Sequence, residues 1–212
     1  MITLHTWTTP NGRKVAILLE ELGLPYEVRT VDIGHDEQFK PDFLAISPNN
    51  KIPAIVDDEA EGGPLAIFES GAILTYLAEK TGRFLAPAGP QRWKTLEWLH
   101  WQIGGLGPML GQLGFFAVRS KDKAPLAIER FTEEADRLLG VMERRLAVAP
   151  YLAGDDYSIA DIAAYPWTVA ATTVHAKALE GRLDNKPALH RWLEAVGNRP
   201  AVARGMKVPT LG

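Results

Sequence analysis

Ser47-Pro48-Asn49-Asn50-Lys51-Ile52-Pro53-Ala54-Ile55-Val56-Asp57 is followed, beyond a Gly62-Gly63 turn and the run Leu65-Ala66-Ile67-Phe68, by Glu69-Ser70-Gly71. Pro53 stands at the mouth of an apolar run, and proline cannot donate to a strand ladder, so it belongs at the first residue of a strand. The Ile52–Pro53 bond can be cis, because proline reduces the trans preference to roughly 0.5–1 kcal/mol. A cis bond would turn the N–H and C=O of Ile52 outward, ready to pair with an extended ligand as an added strand. Ala54 to Asp57 and Leu65 to Phe68 then make a hairpin, and an apolar helical pattern (Ala72, Ile73, Leu74, Tyr76, Leu77) opens at Ser70 and stops at Gly82. The first-turn N–H groups of that helix lack intrahelical partners; with the Ser70 hydroxyl they would bind a carboxylate. Taken singly, Pro53 suits a loop end and Ser70 an N-cap. Together they read as a site for a small anionic peptide.

Working outward to the N-terminus, Ile2 to His5 alternates as a short strand, and the chain turns through Trp7-Thr8-Thr9-Pro10-Asn11-Gly12. From Arg13 the set Val15, Ile17, Leu18, Leu19 and Leu22 has helical spacing, with Gly23 placed for a left-handed cap. Tyr26 to Ile33 reads as a second strand, so a βαβ unit with parallel strands is expected. Gln38 to Leu44 is a weak helical segment. Thr9-Pro10-Asn11 sits where strand gives way to helix, a position that stabilises an anion and that lowers a cysteine's pKa in thioredoxin-type folds. The chain has no cysteine, so a thiolate held by the Thr9 hydroxyl or the Asn11 amide would have to come from the ligand. Thr9 as a plain cap, Pro10 in the first turn and Asn11 in a turn conformation is the alternative reading.

Past Leu85, Ala86-Pro87-Ala88-Gly89-Pro90 reads as a linker, and the remainder is helical. The expected domains are 1–82 (βαβ-α-ββα), a linker over 83–90 and an all-α domain over 91–212. Trp93 to Phe116 is expected as a long kinked helix or a pair, Pro125 to Leu146 as another, and Ala188 to Val196 as the last. Ser158-Ile159-Ala160-Asp161 is a capping box with Asp for the usual Glu. Trp98 to Val118 carries no Asp, Glu, Lys or Arg, but Gly104-Gly105 and Gly107-Pro108 interrupt it; a bent core helix is expected rather than a membrane span. With 212 residues, 46% hydrophobic and a net charge of −3, the chain has no basic excess for nucleic acid. Absent cysteine excludes disulfides and thiolate metal sites, and the five histidines are too scattered for a metal centre. Met1-Ile2 leads into a strand without a signal-like region, so a cytoplasmic protein is expected.

Asn50-Lys51-Ile52-Pro53-Ala54, Glu69-Ser70 and the Ser158–Asp161 box, in this element order, resemble the cytosolic glutathione S-transferases over essentially the whole chain. Thr9-Pro10-Asn11-Gly12, Ile46 to Lys51 and Gly104-Gly105-Leu106-Gly107-Pro108-Met109 look like the bacterial nu class and the related fungal nitrogen-regulator proteins. The resemblance implies a thioredoxin-like domain plus an all-α domain, a homodimer, and glutathione as co-substrate without a metal. It implies Ile52 pairing with the cysteinyl backbone, Glu69 and Ser70 holding the γ-glutamyl end, and Gln38 with Lys51 reaching the glycyl carboxylate. Arg130 would contact glutathione near the dimer interface, and Thr9 with Asn11 would face the sulfur as the catalytic pair. Trp7, Met109, Leu110, Phe115 and Phe116 would wall the co-substrate, although apolar residues on a helix are usually core. The implied activity is glutathione-dependent reduction of small disulfides, with organic hydroperoxides as a further substrate class. Conjugation to electrophiles and a non-catalytic glutathione-binding module are the alternatives.

Overall fold

A computed structural model describes residues 1–210, which form two compact units, Met1–Leu85 with the segment from Arg199 onward, and Ala86–Asn198. In the first unit β1 (Ile2–Thr6), α1 (Pro10–Leu22), β2 (Tyr26–Thr30), α2 (Pro41–Leu44), β3 (Ala54–Asp57), β4 (Leu65–Phe68) and α3 (Ser70–Thr81) follow in order. The sheet order is β2-β1-β3-β4, with β1 and β2 parallel and the other pairs antiparallel. Both hairpin strands have the bounds expected from sequence. Successive side chains of a strand alternate between faces, so Leu4, Ile55 and Ile67, which lie opposite one another in register, share the face that α1 and α3 cover. His5, Ala54 and Phe68 share the other face, where Phe43 of α2 packs with Val31 and Ala54 and lies 6.2 Å from the His5 ring.

Local chemistry explains where the elements stop. Gly23 and Gly82 end α1 and α3 in the left-handed region, at φ of 67° and 66°, where a glycine has no Cβ to clash. The second strand is shorter than expected: Asp32 accepts from the Gly34 N–H at 2.8 Å and its own N–H donates to Glu37 at 2.8 Å, which winds Ile33–His35 into a 3-10 turn instead of extended chain. The Ile52–Pro53 peptide bond is cis. Asp57 is fully buried at the far end of β3, receives the Tyr76 hydroxyl at 2.7 Å and pairs with Lys80, tying β3 to α3.

The second unit holds α4 (Pro90–Trp101), α5 (Gly107–Leu113), α6 (Pro125–Leu146), α7 (Ile159–Thr172) and α8 (Pro187–Gly197). The charge-free stretch does not break at its glycines. It passes from α4 through a π-helical segment, Gln102–Leu106, into α5 and through a second one, Gly114–Arg119; π-bulges accommodate an altered ladder without ending the helix. Among the described residues no helix is long and apolar enough to cross a membrane. α7 likewise continues through Pro166 rather than ending there.

The stretch beyond Val196 was expected within the all-α domain without a further helix; Pro200–Gly205 instead forms α9, which packs on α1 in the first unit. A Cβ on Gly205 would lie 2.5 Å from the Ile17 Cα, so the two backbones approach as only glycine allows. Arg199 and Arg204 pair with Glu21 and Glu20 of α1, each at 2.6 Å.

The capping box forms as expected and does more than cap. Buried Asp161 accepts from the Ser158 N–H and hydroxyl at 3.1 Å each, from the Leu152 N–H at 3.0 Å and from Trp192 Nε1 at 2.9 Å. One carboxylate therefore joins the loop before α7, the start of α7 and the core face of α8. Burial pushes its carboxyl up to about 6, against the pull of those donors. Asp161→Ala strands several buried donors at about 1–3 kcal/mol each, so the unfolding midpoint is expected to fall by roughly 6 °C or more. A calorimetric or circular-dichroism melt within a degree of the parent protein contradicts this role.

Candidate functional site

Strand register gathers the site. Thr6 at the end of β1 lies beside Thr30 at the end of β2. Ala54 at the start of β3 lies opposite His5, and Phe68 at the end of β4 lies opposite Ala54. The Trp7–Thr9 turn, the loop carrying Gln38, the Lys51–Pro53 approach and the Glu69–Ser70 junction thus leave the sheet at one end.

Thr9 is the N-cap of α1, with extended backbone at φ −125° and its Oγ1 accepting from the Gly12 N–H at 3.2 Å. Because Oγ1 accepts in that bond, its own hydrogen stays available to donate. Asn11 lies in the first turn, at the positive end of the helix dipole. The turn is tight: a Cβ on Gly12 would sit 2.2 Å from Thr6 Oγ1 and 2.5 Å from the Trp7 carbonyl oxygen.

The loop before β3 is closed on itself. Buried Ser47 donates to the Lys51 carbonyl at 2.8 Å, and the Asn50 N–H donates to the Ser47 carbonyl at 2.9 Å. Ile52 packs on the Val31, Phe43 and Ala54 cluster. Among the described residues, no backbone group pairs with its N–H or C=O. Lys51 is exposed, while half-buried Gln38 has an Oε1 without a hydrogen-bond partner.

Glu69 precedes α3 at φ 71° and ψ 114°, a left-handed conformation that costs a residue with a Cβ about 1–3 kcal/mol. It makes no side-chain cap. Its side chain is left for other uses. Ser70, buried at the first position of the helix, receives Lys14 Nζ at 3.3 Å on its Oγ. Lys14 itself is 1% exposed. Burial drives its ammonium down to about 7, with Glu69 pulling the other way. Sequence reasoning passed over Lys14, yet a signal was there: a lysine three and four residues before Ile17 and Leu18 lies on their helix face, which is the buried one.

The remaining expected residues divide by unit. Trp7 is half-buried in the first. In the helical unit Phe115 is exposed, Met109 is half-buried, and Phe116 stacks on Phe131 at 5.7 Å. Leu110 is fully buried, like Leu106 and Leu113 at helical spacing, so it is a core residue rather than an open wall. Arg130 is exposed on α6, 3.8 Å from Glu134. Among the described residues no cluster of three or more His, Cys, Asp or Glu side chains could hold a metal ion.

Residues 8–80 match the family described as glutathione S-transferase, N-terminal domain, and residues 106–200 match its C-terminal domain. The chain belongs to the glutathione S-transferase family. Among its relatives is the disulfide-bond oxidoreductase YfcG of Escherichia coli strain K12, 50% identical over 100% of this chain and 97% of that protein. A glutathione transferase family member from Pseudomonas fluorescens Pf-5, solved with two glutathione bound, superposes with a TM-score of 0.94 at 47% identity over 98% of this chain and 93% of that one. A Pseudomonas putida glutathione transferase, solved with one glutathione disulfide per subunit, gives 0.93 at 44% identity over 98% and 91%.

The close approach of Gly12 to Thr6 and Trp7 is directly testable. Gly12→Ala forces the Thr9 turn apart at two points, one of them backbone, and is expected to cost about 1–3 kcal/mol as overpacking does. A chemical-denaturation midpoint equal to that of the parent protein contradicts the close approach.

Proposed function

We propose that the chain is a glutathione-dependent disulfide reductase of the nu type, working in the cytoplasm, where the glutathione pool is reducing. The observation that carries this reading is the convergence of three complementary features at one sheet end in a protein without cysteine. They are a hydroxyl donor at the start of α1, unpaired backbone at Ile52, and a helix N-terminus with a buried serine. Each fits one part of the tripeptide. The Ile52 N–H and C=O suit the cysteinyl backbone as an added strand. Ser70, the first turn of α3 and the exposed Glu69 suit the α-carboxylate and ammonium of the γ-glutamyl end. Gln38 and Lys51 suit the glycyl carboxylate. The names of the relatives, one a disulfide-bond oxidoreductase and others carrying two glutathiones or the disulfide, point the same way.

With no thiol of its own, the protein contributes alignment and electrostatics. A glutathione thiolate beside the Thr9 hydroxyl and the N-terminus of α1 attacks one sulfur of a small disulfide. The new S–S bond forms as the old one breaks, and the leaving thiolate takes up a proton. A second glutathione thiolate then attacks the glutathione sulfur of the mixed disulfide, releasing glutathione disulfide and the second thiol. Two electrons pass from two glutathiones to the substrate, and no other reductant is needed. In-line holding of thiolate and disulfide supplies the acceleration.

Steady-state turnover of 2-hydroxyethyl disulfide with glutathione, with product analysis, tests the proposal. Glutathione disulfide as the product supports it; a thioether from an electrophile, with no disulfide turnover, assigns conjugation instead. Thr9→Ala removes a donor to a charged sulfur, worth about 1.5–3 kcal/mol, so kcat is expected to fall roughly 10- to 100-fold while KM for glutathione changes much less. Equal kcat in the two proteins rejects the role of Thr9.

A further inference from the structure

We propose that Lys14 is a positioning residue of the site, a buried counter-ion behind Ser70 that takes up a proton when a carboxylate settles on the first turn of α3. The inference rests on the glutathione reading above and extends it to the protonation state of the γ-glutamyl pocket.

The geometry is specific. Lys14 reaches from α1 to the start of α3, is buried, and touches the pocket through Ser70 Oγ at 3.3 Å. A protonated ammonium can only donate. Ser70 then accepts from Lys14 and keeps its own hydrogen for the ligand. A neutral amine can accept, which draws the Ser70 hydrogen inward and removes a donor from the pocket. The protonation state of Lys14 therefore sets the direction of the Ser70 hydroxyl.

Charged and titratable groups on the elements packed against α1 narrow the cause. On α9, Arg199 and Arg204 are engaged with Glu21 and Glu20. On α3, Tyr76 and Lys80 are engaged with Asp57. On β1, His5 lies by Phe43, and on α1 itself Arg13 is the adjacent residue. Glu69 is the group whose charge acts on Lys14, and it raises the ammonium that burial lowers to about 7. The incoming zwitterion sets its carboxylate on the Ser70 hydroxyl that Lys14 touches and its ammonium out on exposed Glu69, so the added negative charge lies nearer Lys14 than the added positive one, and pairs that close are strong where water is excluded. The bound state thus favours the charged lysine more than the free state does, and binding must be coupled to proton uptake.

The sign follows from that coupling. Affinity is fully expressed below the free-state value and is lost progressively as pH rises from it toward the higher bound-state value. With a free value of about 7, the dissociation constant is expected to weaken about tenfold between pH 6 and pH 8, with uptake of about half a proton at pH 7. Calorimetric titration of S-methylglutathione into the full chain tests this, because that ligand has no titrating thiol. Titrations at pH 7 in two buffers of different ionisation enthalpy read the proton count, and titrations at pH 6, 7 and 8 read the affinity.

Lys14→Met replaces a buried charge by an apolar side chain of similar volume and leaves no buried charge unpaired, because Glu69 is exposed. It is expected to bind more weakly at pH 6, with neither proton uptake nor pH dependence. An NMR titration of the lysine side-chain resonances in the unmutated protein provides a second readout, in which the Lys14 midpoint moves upward on binding. Tight binding without proton exchange, or uptake that persists in Lys14→Met, overturns the inference and leaves the glutathione reading standing. No binding heat at any of the three pH values overturns both.

Discussion

The register of the sheet is the constraint from which the site follows. A one-residue slip of β3 would send Ile55 to the α2 side and Ala54 to the α1 side, reversing every contact on both faces. Leu4 and Ile55 are fully buried against α1 and α3, while Ala54 is fully buried on the other face, so both faces oppose such a slip. The carboxylate of Asp57, held by Tyr76 and Lys80 of α3, pins the opposite end. Core packing, acting far from any ligand, thereby brings His5, Ala54 and Phe68 level and sends the loops after them to the same edge.

What those loops present is a set of polar groups that the fold leaves unspent, and some are held at a cost. Glu69 occupies a left-handed conformation that a glycine would adopt without penalty. Lys14 is buried where its charge is disfavoured. The backbone of Ile52 sits two residues before the ladder begins at Ala54. A protein whose only task was stability would gain by changing the first two. Their joint presence at one sheet end suits the anion and peptide site proposed above, in which the ligand rather than this cysteine-free chain carries the sulfur.

Much of this was legible in the sequence because local rules governed it. The bounds of β3, β4 and α6, the stops at Gly23 and Gly82 and the Ser158–Asp161 box follow from proline, glycine and capping chemistry that acts over a few residues. The readings that changed depend on partners distant in sequence or on competition between local structures. Asp32 and Glu37 compete with the sheet for the backbone after Thr30. α9 joins the first unit through Gly205 against Ile17, a contact invisible to a reading by proximity in the chain. The same limit hid Lys14, whose partner Ser70 is 56 residues away, and it placed Leu110 on a wall although helical spacing with Leu106 and Leu113 marks it as core.

A crystal structure with glutathione disulfide tests the central claim most directly. One half of the ligand is expected to lie extended along the Ile52 backbone, with its γ-glutamyl carboxylate on the Ser70 turn and a sulfur within hydrogen-bonding reach of the Thr9 hydroxyl. A ligand bound elsewhere, or one lying on this sheet end with both sulfurs turned away from Thr9 and the start of α1, would contradict it.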